Sequence, residues 1–330
     1  MVVGVRRVRI AVTGAGGFLG RRLVRTLLDR GRIGADGPVV TRVVAFDRVA
    51  PDLPEDPRLQ VRTGDVADAA AVAPALAEAD LVFHLAAVVS AQAEADYELG
   101  MRVNLDGTRA VLEALRRTGR RPRLVFASSV AVYGGPLPDP VGDDVPLAPQ
   151  SSYGAQKAMG ELLVADGSRR GFVDGVSLRL PTVVVRPGRP NRAASAFASS
   201  ILREPLTGRG AVCPVPPDTA LYLTSPRRVV EAFLHAATLP EEALPMGRAF
   251  VLPGLTVTVA EMLAALGRVG GAAAVARVRF VPDETVARIV RGWPARFEAA
   301  TARRLGFAAD PDMDSILHAF VEDELGGAPA

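Results

Sequence analysis

The chain has one cysteine, three histidines and no long apolar run, and each shortage removes a class of protein. A single thiol, Cys213, excludes an intramolecular disulfide and a cysteine-rich metal cluster, which makes a reducing, cytoplasmic setting the default expectation. His84, His235 and His318 stand too far apart for a helical metal-binding pair, so zinc hydrolysis is set aside and no metal is expected. No stretch approaches the roughly 18 uninterrupted apolar residues of a membrane span. Arg6, Arg7 and Arg9 break the N-terminal run directly before a glycine loop, leaving no room for the apolar part of a signal sequence. A block of like charge is also missing. The 39 basic and 36 acidic residues leave a net charge of +3 spread along the chain, so neither a nucleic-acid nor a membrane partner is expected. With 32 glycines and 26 prolines in 330 residues, the chain falls below the roughly 25–30% share of low-complexity sequences.

What is present is alternation. Residues 8–13 are apolar and β-branched, whereas residues 20–30 place Leu23, Leu27 and Leu28 on one helical face with arginines between. Short apolar runs at 41–46, 81–85, 124–127 and 176–180 follow, each separated by a helical pattern long enough for a crossover. This order predicts an α/β fold: a Rossmann doubly wound parallel sheet with helices on both faces. Residues 136–149 carry five prolines and several acids and read as a surface loop, followed by a helix opened by Ser151 or Ser152. Beyond Thr182 the alternation decays, prolines recur, and helical patterns appear at 259–266 and 283–290. The division expected is a dinucleotide-binding domain over 1–182 and a smaller lobe over 183–330, mainly for substrate, with some segments returning to the first domain. No internal repeat is visible.

The first strand runs into Gly14-Ala15-Gly16-Gly17-Phe18-Leu19-Gly20. Glycines at 14 and 17 permit a tight turn and close approach of backbone N–H groups, Phe18 and Leu19 included, to a pyrophosphate. Gly20 lets helix and strand pack closely. Asp47 ends the second strand 27 residues after Gly20, where a carboxylate accepts from the adenosine ribose hydroxyls and repels a 2′-phosphate. NAD is therefore expected over NADP, although the adjacent Arg48 could pair with a phosphate. Asp65 and Val66 follow the third strand, at the adenine end. Leu85, Ala86 and Ala87 follow the fourth, where small residues let a cofactor lie close. His84 reads as a packed or hydrogen-bonded strand histidine, and Asn104 as a helix-anchoring amide.

Tyr153 and Lys157 form Tyr-x-x-x-Lys on a helical pattern, so phenol and ammonium share one face. An ammonium near a phenol favours phenolate, which suits Tyr153 to take a proton from an alcohol. The residues 126–134, Phe-Ala-Ser-Ser-Val-Ala-Val-Tyr-Gly, sit at a strand end 24 residues ahead when counted from Ser129 to Tyr153.

Together these motifs, spread over residues 8–190, resemble the extended short-chain dehydrogenase/reductase superfamily of NAD-dependent epimerase/dehydratase type. The resemblance implies Ser129, Tyr153 and Lys157 as catalytic residues, with Tyr153 and Lys157 also touching the cofactor and Pro181 and Thr182 lying along it. Val130-Ala131 stand where the superfamily's dehydratases carry Asp-Glu, and the epimerases' Asn-x-Tyr-Gly-Pro-like turn is replaced by Leu180-Pro181-Thr182. The resemblance is closer to members that oxidise a secondary alcohol of a small sugar acid. A nucleotide-sugar epimerase, or a dehydrogenase of another aldonate or uronate, is the alternative. It implies a homodimer and a substrate site drawn from Ser90, Ser129, Tyr153, Arg186, Asn191, Arg192 and Arg227. Arg227, in Ser225-Pro226-Arg227 at a helix start, is the first choice to receive a carboxylate.

Overall fold

A computed structural model describes residues 6–188 and 195–327. Asn191 and Arg192, both expected at the substrate, lie outside the described residues.

The first half of the chain alternates because its strands are apolar on both faces and its helices on one. In order come β1 (Arg7–Thr13), α1 (Phe18–Arg30), β2 (Val39–Asp47), β3 (Leu59–Thr63), α2 (Ala69–Leu76), β4 (Leu81–His84), the short α3 (Ser90–Ala95) and α4 (Tyr97–Gly100), α5 (Gly107–Thr118), β5 (Arg123–Ser129), α6 (Ser152–Arg169) and β6 (Asp174–Leu180). Buried Leu23, Val24, Leu27 and Leu28 fix the inward face of α1, which stops at Gly31 in the left-handed conformation that glycine tolerates. The rest comprises β7 (Thr182–Val183), α7 (Ala196–Leu206), β8 (Ala211–Cys213), β9 (Ala220–Thr224), α8 (Pro226–Ala236), β10 (Ala249–Val251), β11 (Leu255–Thr258), α9 (Val259–Ala276), β12 (Val278–Phe280), α10 (Glu284–Arg291), α11 (Ala300–Arg304) and α12 (Met313–Glu324).

The chain forms two compact units. One holds the described residues through Ser129, then Ser151–Arg179 and Val230–Phe250; the other holds Val130–Gln150, Leu180–Val229 and the described residues from Val251 onward. The chain passes from the first unit to the second at 179/180, and residues 130–150 group with the second unit, which local sequence pattern does not reveal.

The first unit is built on a seven-stranded sheet in the order β10-β6-β5-β4-β1-β2-β3. The pairs β3–β2, β2–β1, β1–β4 and β4–β5 are parallel. Strand order reverses between β1 and β4, and at such a switch the loops leaving the two carboxyl ends diverge and open a crevice. One layer of the core packs Phe46, Val72, Leu76, Val82, Leu115 and Phe126 between the sheet and its helices.

In the second unit β9 is central to a three-stranded sheet, antiparallel to β11 and parallel to β7. α9 is longer than the sequence suggests, because a capping box of Thr258 and Glu261 starts it and the small-residue stretch near Gly271 kinks rather than ends it. Although long and apolar enough by composition to cross a membrane, α9 carries Glu261 and Arg268 and buries Val259, Met262, Ala265 and Leu266 in this unit's core. Residues 136–149 are less free than a surface loop. Val141 is buried and exchanges backbone hydrogen bonds with Arg296 and Glu298, and Asp143 accepts from Thr301 N–H at 2.6 Å.

The Ser225-Pro226-Arg227 segment is explained by a buried carboxylate. Asp310 accepts from Ser225 N–H at 2.9 Å, Ser225 Oγ at 2.6 Å and Thr224 Oγ1 at 3.1 Å, and Ser225 Oγ in turn accepts from Arg228 N–H at 3.0 Å. Asp310→Ala strands these donors away from water, and a loss of about 2–4 kcal/mol is expected from equilibrium denaturation. A loss well under 1 kcal/mol would show that the donors find other partners.

Candidate active site

The loop after β1 is shaped by what a side chain would strike. Gly14 has φ +75°, and a Cβ there would lie 2.6 Å from Ala86 N; a Cβ on Gly20 would lie 2.1 Å from the Gly14 carbonyl oxygen. Glycine alone allows the β1 and β4 ends to approach this closely. Gly17 is the N-cap of α1 and supplies no side-chain acceptor, and the first turn holds no acidic residue. The leading N–H groups of α1, at Phe18, Leu19 and Gly20, therefore present the positive end of the helix to an anion. These residues fit a dinucleotide's pyrophosphate.

Asp47, at the end of β2, is half-buried and accepts from Gly16 N–H at 2.8 Å. A Cβ on Gly16 would come within 3.0 Å of that carboxyl carbon, so loop and carboxylate are in close contact. Asp65, which follows β3, accepts from Ala67 N–H at 2.9 Å and pairs with Arg102. Burial pushes its carboxyl upward, but the hydrogen bonds from Ala67 and Arg102 and the charge of Arg48 hold it below the ordinary range. Val66, beside it, is buried in the core.

The end of β4 is held by two polar anchors. His84 is fully buried, with Nδ1 2.7 Å from Thr13 Oγ1 and Nε2 3.0 Å from Thr108 Oγ1. Thr108 Oγ1 spends its proton on the Asn104 carbonyl, so it accepts from His84 Nε2–H and the Thr13 hydroxyl donates to Nδ1. Burial first, and the nearby Lys157 charge second, lower this imidazole to about 3, which keeps it neutral. Asn104 lies in a π-helical segment, Met101–Asp106. It accepts from Val88 N–H at 2.9 Å, donates to Val88 O at 3.1 Å and donates to Gln156 Oε1 at 2.7 Å. It thus anchors the chain just beyond Leu85, Ala86 and Ala87 rather than the helix alone. Ser90, the first residue of α3, is half-buried two positions farther on.

Alternation along β5 separates its two serines. Ser128 is buried and donates to Glu161, while Ser129, on the opposite face, is half-buried. Ser151 caps α6 by accepting from Gly154 N–H at 3.1 Å. That start sets half-buried Tyr153 and buried Lys157 one helical turn apart. Lys157 Nζ donates to the Ala127 carbonyl at 2.8 Å and lies 4.7 Å from the Phe126 ring centre and 5.7 Å from that of Tyr153. Burial lowers its pKa to about 8, against the opposing pull of Glu161. Two signals went unused in the sequence reading. Lys157 is the only lysine in a chain rich in arginine, and Glu161 stands one turn beyond it.

The second unit holds the remaining candidates. Pro181 and Thr182 lie at the start of β7. Arg186 is half-buried, with its backbone fixed by Ser199 Oγ at 3.3 Å and Arg203 Nη1 at 2.6 Å. Arg227 forks its guanidinium onto Asp323 at 2.7 and 3.2 Å and onto Glu322 at 2.8 Å, and these bonds raise its pKa further. They tie α8 to α12.

Residues 10–242 match the model of the NAD dependent epimerase/dehydratase family. The chain is 53% identical over 317 residues to a D-erythronate dehydrogenase of Cupriavidus necator, covering 95% of this chain and 98% of the relative. It is 42% identical over 318 residues to a D-erythronate dehydrogenase of Haemophilus influenzae, covering 96% of this chain and all of that one. Among solved structures, a nucleoside-diphosphate-sugar epimerase from Agrobacterium tumefaciens superposes with a TM-score of 0.93 at 43% identity, covering 98% of this chain and 96% of that one. With its glycine loop, its strand-order switch and its Tyr153–Lys157 helix, the chain belongs to the NAD dependent epimerase/dehydratase family.

Proposed function

We propose that this protein oxidises the C2 hydroxyl of D-erythronate to 2-oxo-D-erythronate with NAD. The observation that carries the chemistry is the buried Lys157 ammonium one helical turn from Tyr153. The substrate follows from the near full-length similarity to two D-erythronate dehydrogenases.

Lys157, desolvated and cationic, favours the phenolate of Tyr153. The phenolate oxygen takes the proton of the C2 hydroxyl while Ser129 Oγ orients that hydroxyl. NAD, when bound, would supply the acceptor for the C2 hydride. Proton and hydride leave together with no other bond broken, so the hydroxy acid becomes the 2-oxo acid. Gly14, Gly17, Phe18, Leu19 and Gly20 would hold the pyrophosphate and Asp47 the adenosine ribose. Asp65 and Val66 would border the adenine, and Leu85, Ala86, Ala87, Pro181 and Thr182 the remaining length. Among the described residues Arg186 replaces Arg227 as the carboxylate's cation, with Ser90 beside the substrate. The same reading carries a cytoplasmic homodimer.

NADH formation across a panel of four- to six-carbon aldonates and uronates is the direct assay, with D-erythronate expected to give the highest kcat/KM. Turnover of a nucleotide sugar without free NADH would favour the epimerase reading instead. Tyr153→Phe should remove nearly all turnover, a fall of roughly 10²–10⁴-fold, and leave NAD affinity within a few-fold. Retention of more than about a tenth of the parent rate would displace Tyr153 as base.

Cofactor choice has its own check. The parent should prefer NAD, and Asp47→Ala should lower that preference by removing ribose hydrogen bonds and the repulsion of a 2′-phosphate. An NADP preference in the parent would contradict the role given to Asp47.

A further inference from the structure

One buried charge of the first unit has no part in the proton transfer just described. Glu161, on α6 one turn past Lys157, is 3% exposed. Arg179 of β6, itself 8% exposed, donates to it through Nε at 3.0 and 3.1 Å and through Nη2 at 2.7 Å. Ser128, the neighbour of Ser129 on β5, donates to it from the other side. A single carboxylate thus joins β5, α6 and β6 at the level of the site. Stability is a weak reason for such a pair, because well-packed apolar residues often serve as well in the interior.

The surroundings of Lys157 supply a stronger one. Its Nζ meets the Ala127 carbonyl and lies over the rings of Phe126 and Tyr153, and His84, which feels the Lys157 charge, stacks on Phe126 at 5.5 Å. His84 is neutral because burial, and then the Lys157 charge, lower its pKa, while Thr13 and Thr108 hold its ring in place. Carbonyl and ring faces attract a cation but carry no net charge. Among the described residues around it, Glu161 is the anion that acts on Lys157.

We propose that Glu161 is a positioning residue whose carboxylate, clamped by Arg179 and Ser128, keeps the buried Lys157 side chain in its charged form, so that Tyr153 stays ready to take a proton. The clamp matters for geometry as well. Forked by Arg179, the carboxylate is held back from a direct pair that would draw the ammonium away from Ala127 and the Tyr153 ring. This inference rests on Tyr153 and Lys157 forming the proton-transfer pair, but not on the identity of the substrate.

Because Lys157 is the chain's only lysine, protein grown with lysine carrying ¹³C at Cε gives one lysine resonance, whose titration reads this ammonium without substrate. Glu161→Gln should lower the Lys157 midpoint by about one pH unit, since an anion is lost and the Arg179 cation is left exposed to it. Arg179→Met should raise the midpoint, because the carboxylate's charge is then no longer shared. The alkaline limb of the pH profile of kcat/KM should move with the resonance in both variants. A pair that only holds the fold together would admit water in either variant and shift both midpoints up toward an ordinary amine. A folded Glu161→Gln protein whose midpoint is unchanged or raised overturns the proposal. If that variant does not fold, an unchanged or lowered midpoint in Arg179→Met overturns it. Lack of turnover on D-erythronate, with both midpoints moving as stated, supports the role of Glu161 and faults the substrate instead.

Discussion

The proposed chemistry of this protein depends on keeping one ammonium in a dry place. Lys157 is nearly inaccessible to water, and burial brings it to about 8, close enough to neutrality that its charge hangs on its neighbours. Arginine would not serve, since its guanidinium does not titrate and its planar fork would not fit a site made by one carbonyl and two ring faces. Everywhere else the chain uses arginine for positive charge. The one exception falls where a compact amine lies over the ring of a phenol.

The fold serves that constraint by bringing strand ends together. β5 delivers Ser129 outward and Ser128 inward on consecutive residues, and α6 starts from a serine cap that sets the phase of Tyr153, Lys157 and Glu161 along one side. At the strand-order switch, Gly14 lets the β1 loop come within contact of Ala86, and the first turn of α1 is left without a side-chain cap. Thr13, His84, Thr108 and Asn104 then lock the β1 and β4 ends with neutral hydrogen bonds, which adds no charge near Lys157.

How much of this could be read from the chain depends on sequence distance. The glycine loop, Asp47 at a strand end and the Tyr153–Lys157 spacing are local patterns, and each falls on the element that its pattern predicts. Partners far apart in sequence were not legible. Arg227 looked like a cation offered to substrate because Asp323, 96 residues on, leaves no local trace. The role of Ser225, two residues before Arg227, is set by Asp310, 85 residues away. Residues 130–150 follow β5 directly, yet their backbone pairs with 296–298, and so they group with the second unit. Glu161 is the instructive middle case. Its spacing from Lys157 was visible, but only the buried guanidinium of Arg179 gives that spacing a meaning.

In the proposed reaction hydride passes directly from C2 of a small hydroxy acid to the cofactor. D-erythronate carrying deuterium at C2 tests it, with the label followed in the reduced nicotinamide and in the acid product. Direct transfer gives one deuterium at nicotinamide C4 per turnover, none in the 2-oxo product, and a slower kcat/KM than with the unlabelled acid. Unlabelled NADH, or a product that keeps its deuterium, would contradict it.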